Sequence, residues 1–397
     1  MNNQLVKPYE RVQLFSGGGS RFGYYLGSYA ALAAHDLTPD IIVGTCGGSL
    51  SAYLVHLAPD PKDLQALMCS RELYRVITAI RHVAPDEANK RLKLRYMIHA
   101  LKRWRLSKQR DNGQGQRQAD SYERLLNELQ QLAMFRIDNE QYWLDELSQF
   151  AASDSGSAAG KTTPEIAIIA SRLYQAPADG LCNKKPVLQE LLFAPPCLAN
   201  LPNLVSGLAD EQMTSPAHIF ANGRIHPSVK VQTQWDFAPV IRASMADMYY
   251  LPPTHITELG WCLGGVINLT PIELACQLGD SVFAETKAGY DAWLAAPAIQ
   301  RVFGFDPNRR LAAVHGYQPI SVSALTETIN KNRQLHWLPF ADNEQQLAGQ
   351  NVQKRFNLKQ MTVELIHSDY DGFVQQMQAQ WQYGYQRTVN YIQQHKL

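Results

Sequence analysis

The sequence predicts an α/β fold in which a mainly parallel central sheet is flanked by helices. Three apolar runs indicate strands of this sheet, at 12–15, 41–43 and 165–170. The first two runs each lead through a glycine-rich turn into a helical pattern, over 24–34 and from about 47 onward. Strands that alternate with helices in this way are typical of α/β folds.

The first of these turns, residues 17–21, reads GGGSR. Successive backbone N–H groups in such a turn can bind an anion or a developing oxyanion, and Arg21 could orient the turn or meet a phosphate. The turn does not fit the dinucleotide pattern G-x-G-x-x-G, because Gly23 comes one residue late. No Gly-Lys-Ser/Thr follows this turn either, so the pattern disfavours a nucleotide-binding loop.

The second turn, residues 44–48, reads GTCGG and places Cys46 at its apex. A reactive residue on a strand-to-helix turn needs a strained backbone, and small residues two positions away, here Gly44 and Gly48, let the turn close. Cys46 also stands at the N-terminus of the next helix, where free N–H groups and partial positive charge stabilise a thiolate. We therefore expect a nucleophilic Cys46 with a lowered pKa. A buried, inert cysteine is the alternative.

Four blocks of sequence, in this order, resemble the motifs of the patatin-like acyl hydrolases, or patatin-like phospholipases. They are SGGGSRFGYYLG at 16–27, the turn VGTCGGSLSAYL at 43–54, RASMA with YLPP within 242–253, and LGGVINLTP at 263–271. Phe22 replaces the glycine that follows the arginine in the family's first motif. The resemblance covers residues 12 to about 280 and implies a patatin-like three-layer fold with a catalytic serine–aspartate dyad.

The chain departs from this family pattern at both members of the dyad. The serine position holds Cys46, and the aspartate position holds Leu263, which cannot accept a proton. A thiol at a helix N-terminus needs less help from a base than a serine hydroxyl does. Asp247, in the third block, and His255, after its two prolines, are candidates for a replacement base or orienting group. Each also has a simpler interpretation, as a solvent-facing acid and an ordinary surface histidine.

The resemblance and these residues together predict acyl transfer through an acyl-thioenzyme on Cys46. The backbone of Gly18 and Gly19 would hold the oxyanion, with Arg21 supporting the loop. The expected substrate is a fatty-acyl ester or thioester of a lipid. Water as the acceptor gives a hydrolase, whereas an amine or alcohol gives an acyltransferase. An acyl-cysteine is closer in energy to thioesters than to oxygen esters, which favours an acyl-CoA or acyl-carrier donor.

The main alternative is a catalytically silent patatin-like scaffold that binds lipid, an acyl carrier or a protein partner. The retained elbow glycines, the triple glycine and Arg21 favour an active enzyme over this scaffold. A phosphate-binding module is a more distant alternative. A further alternative is that Cys46 was introduced by engineering, but this would not explain why Leu263 stands at the aspartate position.

The composition is typical of a globular protein without a nucleic-acid partner. Hydrophobic residues make up 45% of the chain and charged residues 18%, and the net charge is +1. The six cysteines form no C-x-x-C pair, which disfavours zinc and a disulfide framework and suits a reducing cytoplasm. We expect no metal and no cofactor. The N-terminus lacks a signal-peptide core and no stretch reaches about 18 apolar residues, so the expected location is cytoplasmic.

The predicted organisation is an α/β domain over 1–285, with a helical insertion at about 60–150, and a mixed extension over 286–397. The extension ends in a long amphipathic helix over 371–395, with Asp371 as its N-cap, that we expect to pack on the same domain. Within the insertion, 90–106 combines apolar residues at helical spacing with basic residues and a tryptophan. This pattern predicts peripheral contact with an anionic membrane, such as the inner membrane face. A core-packed helix with a solvated basic face is the alternative.

Overall fold

The computed structural model describes residues 7–83, 122–152, 163–175, 186–199, 213–292, 295–318, 334–357 and 362–397. The basic segment 90–106, with its predicted membrane contact, lies outside these residues. Among the helices that are described, none is both long enough and apolar enough to cross a membrane.

Strands and helices alternate along most of the chain. The strands are β1 (Tyr9–Ser16), β2 (Ile41–Thr45), β3 (Ile80–His82), β4 (Phe135–Ile137), β5 (Glu165–Leu173), β6 (Leu188–Phe193), β7 (Lys230–Gln232), β8 (Thr254–Ile256), β9 (Gly260–Leu263), β10 (Gly279–Glu285), β11 (Gln334–Leu338), β12 (Gln353–Asn357) and β13 (Thr362–Ile366). The α-helices are α1 (Gly23–Ala33), α2 (Gly47–Leu57), α3 (Pro61–Met68), α4 (Arg71–Thr78), α5 (Tyr122–Gln131), α6 (Glu140–Ala152), α7 (Phe237–Met245), α8 (Ile272–Leu278), α9 (Ala295–Phe303), α10 (Pro307–His315), α11 (Asn343–Gln346) and α12 (Tyr370–His395).

A nine-stranded mixed sheet forms the centre of the fold. Its main path runs β11–β10–β1–β2–β5–β6–β7, while β9 pairs with both β5 and β8. The five strands from β11 to β5 are parallel to their neighbours, whereas β6 and β9 run antiparallel to β5. The mainly parallel α/β fold expected from the sequence is therefore confirmed, and β1, β2 and β5 include the three predicted apolar runs.

The register of β1 and β2 decides where the two glycine-rich turns meet. Ser16, the last residue of β1, lies opposite Thr45, the last residue of β2. The strands are parallel, so both turns leave the sheet at the same edge and lie side by side. All of β2 is buried, as is typical of a central parallel strand that is covered on both faces. In open α/β sheets, ligands bind at this edge, beyond the carboxyl ends of the strands.

The terminal helix α12 begins one residue earlier than the sequence predicts. Its N-cap is Asp369, whose carboxylate accepts a hydrogen bond of 2.9 Å from the N–H of Gly372. The prediction of Asp371 as the N-cap is therefore wrong. Asp371 lies in the first turn of α12, where a negative charge favours the positive end of the helix dipole.

Two glycines allow α12 to cross α1 at very short range. A Cβ added at Gly384 would lie 1.9 Å from the carbonyl oxygen of Tyr24, and one at Gly27 would lie 2.0 Å from that of Trp381. Both obstacles are backbone atoms, which cannot rotate aside as a flexible side chain would. The last helix of the chain is therefore closely packed on the helix that follows the first glycine-rich turn.

Replacing Gly384 with alanine should push α1 and α12 apart and lower the free energy of unfolding by about 3 kcal/mol, in the range of overpacked cores. Urea denaturation followed by circular dichroism measures this loss. The matched control is Gln386→Ala, on the exposed face of the same helix, which should change the free energy of unfolding by less than about 0.5 kcal/mol. Equal stability of the two variants would contradict the close crossing.

Candidate active site

Cys46 lies at the apex of the turn between β2 and α2, in a backbone conformation that side chains rarely adopt. Its φ is 51° and its ψ is −126°. Its N–H donates to the Ser244 hydroxyl at 2.9 Å, and that hydroxyl donates to the carbonyl of Ile169 in β5 at 2.7 Å. The Ser49 hydroxyl donates to the Cys46 carbonyl at 2.6 Å. Neighbouring elements therefore hold the strained turn in place, as is common at functional sites.

The glycines around Cys46 are required by close backbone packing. A Cβ at Gly44 would lie 2.8 Å from Cα of Ser49, and one at Gly48 would lie 1.9 Å from the carbonyl oxygen of Phe15 in β1. A Cβ at Gly47 would lie 2.7 Å from the carbonyl oxygen of Gly19. The N-terminus of α2 thus rests directly on the first glycine-rich turn.

That first turn, residues 17–19, has three successive glycines in the left-handed region, with φ values of 97°, 87° and 55°. This conformation favours glycine and directs consecutive N–H groups to one side, as in an anion-binding nest. The N–H of Gly17 donates to the carbonyl of Phe15 at 3.2 Å. Within the described part of the chain, the N–H groups of Gly18 and Gly19 have no protein acceptor. These two N–H groups are therefore open to an acceptor oxygen next to the turn that carries Cys46.

A second strained turn carries Asp247 into the same site. The N–H of Asp247 donates to the carbonyl of Met245 at 2.8 Å, and the N–H of Tyr250 donates to the carbonyl of Asp247 at 2.7 Å. Met248, inside this turn, has a φ of 48°. Asp247 is only 4% exposed, its carboxylate accepts from the N–H of Val266 at 3.1 Å, and its carboxyl group and the Cys46 thiol each influence the pKa of the other.

Burial dominates the electrostatics of this thiol–carboxyl pair. It raises the pKa of Cys46 well above its ordinary value, and the negative charge of Asp247 raises it further. The Gly47 N–H and the Lys287 ammonium lower the pKa of Cys46, but by less. The sequence-based expectation of a lowered thiol pKa is therefore wrong. Burial also raises the pKa of Asp247 to about 7, against hydrogen bonds from Cys46 and Val266 that favour the carboxylate.

Gly264 provides the space that the Asp247 carboxyl group occupies. A Cβ at Gly264 would lie 1.6 Å from Oδ1 of Asp247, so even an alanine there would displace the carboxylate. The preceding residue, Leu263, is fully buried at the end of β9 and pairs with Ser171 of β5. Leu263 therefore belongs to the core, and the carboxyl group beside Cys46 comes from a different turn.

A buried polar network fixes the short turn that supplies the Val266 N–H. Asn268, 3% exposed, donates to Glu190 at 2.8 Å and accepts from Arg310 at 3.3 Å. Arg310 also makes a two-pronged ion pair with Glu273, with both distances at 2.7 Å. Paired, hydrogen-bonded charges of this kind make a rigid support, because each group loses its partners if the turn moves.

The other predicted site residues, Arg21 and His255, make different contacts from those of Cys46 and Asp247. Arg21 supports the glycine turn through its backbone, since its N–H donates to the carbonyl of Gly18 at 3.0 Å. Its guanidinium group lies 3.8 Å from the exposed carboxylate of Glu344. His255 is exposed, and its ring packs edge-on against Trp261 at 5.3 Å. Among the described residues, no hydrogen bond joins His255 to the thiol–carboxyl pair.

Two residues of the segment after β10 act on the site electrostatically, and the sequence analysis missed both. Lys287 pairs with the buried carboxylate of Glu285 at 2.7 Å, and its charge reaches Cys46. Burial, with the charges of Asp247 and Cys46, raises the pKa of Tyr290, so this residue keeps its proton. No local motif marks them, because only the pairing of β10 with β1 brings this segment to the site.

A nucleophile on a strained strand-to-helix turn, beside a glycine-rich turn with open N–H groups, is typical of α/β enzymes of acyl transfer. The sequence model of the patatin-like phospholipase family matches residues 14–276. The chain belongs to this family. Membership indicates lipid acyl hydrolase activity and lipid substrates.

Comparison with individual proteins adds little detail. The chain is similar to the solved crystal structure of VipD from Legionella pneumophila, with 12% sequence identity and a TM-score of 0.34. This similarity covers 98% of the present chain and 68% of the VipD chain. No curated protein sequence shows significant similarity to the chain.

The raised pKa of Asp247 predicts a pH-dependent cost to stability. The folded protein holds this proton up to about pH 7, whereas the unfolded chain releases it near the ordinary value of 3.8. Compared with high pH, protonated Asp247 adds at most about 4 kcal/mol to the free energy of unfolding. This contribution is complete below about pH 4 and is lost as the pH rises to and through about 7. Asp247→Asn should become more stable relative to the native protein as pH rises from 4 to 8.

Urea midpoints of the native protein and Asp247→Asn, measured across this pH range, test the prediction. Asp236→Asn, at the exposed N-terminal end of α7, is the matched control and should show no trend of this kind. Parallel stability curves for the native protein and Asp247→Asn would show that the carboxyl group is not buried as described.

Proposed function

We propose that the protein is a lipid acyl hydrolase that works through an acyl-thioenzyme on Cys46, with Asp247 as its base. The observation that carries this proposal is a thiol on a strained strand-to-helix turn that is electrostatically coupled to the Asp247 carboxyl group, beside a turn with open N–H groups. Desolvation raises the pKa of the Cys46 thiol, which is therefore protonated at neutral pH and needs a base to become a nucleophile. A carboxylate with a pKa of about 7 is suited to that role at neutral pH.

In the acylation step, the Cys46 sulfur attacks the acyl carbonyl carbon while its proton moves to the Asp247 carboxylate. The carbonyl oxygen becomes an oxyanion, which the N–H groups of Gly18 and Gly19 bind. When this intermediate collapses, the bond to the leaving group breaks. Asp247 returns the proton to the leaving alkoxide or thiolate, and the acyl group stays on Cys46 as a thioester.

In the deacylation step, Asp247 takes a proton from water, which attacks the thioester carbonyl. The same N–H groups bind the second oxyanion, and the carbon–sulfur bond breaks. The Cys46 sulfur recovers the proton from Asp247 as the fatty acid leaves. An amine or alcohol in place of water would make the same site an acyltransferase. Deacylation of a thioester needs no more than the two groups that acylation uses.

The carboxylate of Asp247 would perform the role that Leu263 cannot. Three observations support this replacement: the mutual effect of the Asp247 carboxyl group and the Cys46 thiol on their pKa values, the space left by Gly264, and the support from the Val266 N–H. The donor class follows from the chemistry of the nucleophile. Because acyl-cysteine is itself a thioester, acyl-CoA and acyl-carrier donors exchange with little loss of energy, whereas oxygen esters rely more on the oxyanion site.

The rate of acylation should rise with pH around a midpoint near 7, because only the ionised Asp247 can accept the thiol proton. Asp247→Asn should lower this rate by about 10²- to 10⁴-fold and remove the rise near pH 7. Single-turnover acylation by p-nitrophenyl octanoate, followed by p-nitrophenol release, measures both effects. A rate that depends on pH in the same way in Asp247→Asn would exclude Asp247 as the base.

Incubation with octanoyl-CoA or p-nitrophenyl octanoate should add one octanoyl group to the protein, and Cys46→Ala should abolish this adduct. Intact-protein mass spectrometry detects the mass gain. Cys197→Ala is the matched control, because Cys197 is an exposed thiol outside the site and its loss should leave the adduct unchanged. No adduct and no turnover, with Cys46 still open to iodoacetamide, would favour the catalytically silent scaffold.

A further inference from the structure

We propose that Gln380, in the terminal helix α12, is a positioning residue for the oxyanion-binding turn. This inference rests on the proposed function and concerns the turn that would bind the oxyanion. The turn of residues 17–19 consists of glycines only, so nothing in its own sequence restricts its backbone. A catalytic oxyanion site must nevertheless hold its donors in fixed positions before the reaction begins.

The Gln380 side chain binds the chain directly after this turn at two points. Its carbonyl oxygen accepts from the N–H of Gly23 at 2.9 Å, and its amide nitrogen donates to the carbonyl of Ser20 at 3.2 Å. The same nitrogen donates to the carbonyl of Gln350 at 2.6 Å. One amide group therefore ties the end of the glycine turn to α12 and to the loop before β12.

Burial makes these bonds effective as a constraint. Gln380 is 0% exposed, so water cannot replace the bonds when they break. Gly23 is the first residue of α1, and its N–H has no partner within the helix. A Cβ at Gly23 would lie 2.8 Å from Oε1 of Gln380, so the glycine leaves room for the amide. The helix start and the turn before it are therefore held as one unit.

The position of Gln380 in the chain gives the proposal its wider meaning. The family match ends at residue 276, and Gln380 lies far beyond it. The residues that would perform the chemistry all lie within the match, but the turn that binds the oxyanion is held from outside it. The terminal helix would thus be part of the catalytic unit rather than an independent addition.

The test compares two reactions of Cys46 that differ in their need for the oxyanion site. Acylation by p-nitrophenyl octanoate forms an oxyanion, whereas alkylation by iodoacetamide is a direct displacement that forms none. Gln380→Met keeps the size of the side chain and removes its hydrogen bonds. We expect acylation to slow by about 10- to 100-fold. Alkylation, measured on the peptide that carries Cys46, should change by less than about twofold.

Two further variants keep the result interpretable. Thr388→Val removes a buried hydrogen bond of 2.9 Å to Ser28, which also joins α12 to α1, and should leave the acylation rate unchanged. Gln380→Glu retains an acceptor for Gly23, and its carboxyl group can donate at most one hydrogen bond where the amide donates two, so it tests the donor side if Gln380→Met does not fold. It should also slow acylation selectively.

The outcomes distinguish failure of the proposed function from failure of the positioning role of Gln380. If the native protein is not acylated, the proposed function fails. If it is acylated and a folded Gln380 variant is acylated at the same rate, only the positioning role fails. Equal losses of acylation and alkylation would mean that Gln380 supports the fold generally, and this result too would overturn the proposal.

Discussion

The contact between the start of α2 and the glycine turn after β1 is the constraint on which the site depends. Gly48 packs on the Phe15 carbonyl, and Gly47 packs on the carbonyl of Gly19. Because these are contacts between backbones, the separation of Cys46 from the glycine turn is limited mainly by main-chain packing. The parallel register of β1 and β2 places the two turns side by side, so the central sheet determines this contact.

The thiol–carboxyl pair shows how burial changes the chemistry of a familiar scaffold. In water, the N-terminus of α2 would favour a thiolate. In this setting, desolvation opposes charge on both Cys46 and Asp247 more strongly than the nearby N–H groups favour it. Burial therefore favours the uncharged forms of both groups. This arrangement protects the thiol from indiscriminate reaction, because thiolates are the reactive form of cysteine.

The sequence predicted those parts of the molecule that local patterns determine. Cys46, the glycine turn and β2 are marked by short segments whose spacing has a direct steric reason. The prediction of a lowered thiol pKa was wrong, because the pKa is raised by desolvation and by Asp247, which is distant from Cys46 in the sequence. Asp247 could be found only as a candidate, since its approach to Cys46 depends on the left-handed turn at Met248. Gln380 and Tyr290 lie in no motif, and long-range packing alone places them.

The bond between Gly23 and Gln380 has a consequence for the biogenesis of the protein. It joins residues 357 positions apart, so it can form only after residue 380 has left the ribosome. Domains fold in order as they emerge, and the N-terminal strands precede α12 by a long interval of synthesis. The turn that carries Cys46 can form during that interval, before the bond from Gln380 to the start of α1. A chain that ends before α12 would therefore lack the side-chain bonds that join residues 20 and 23 to Gln380.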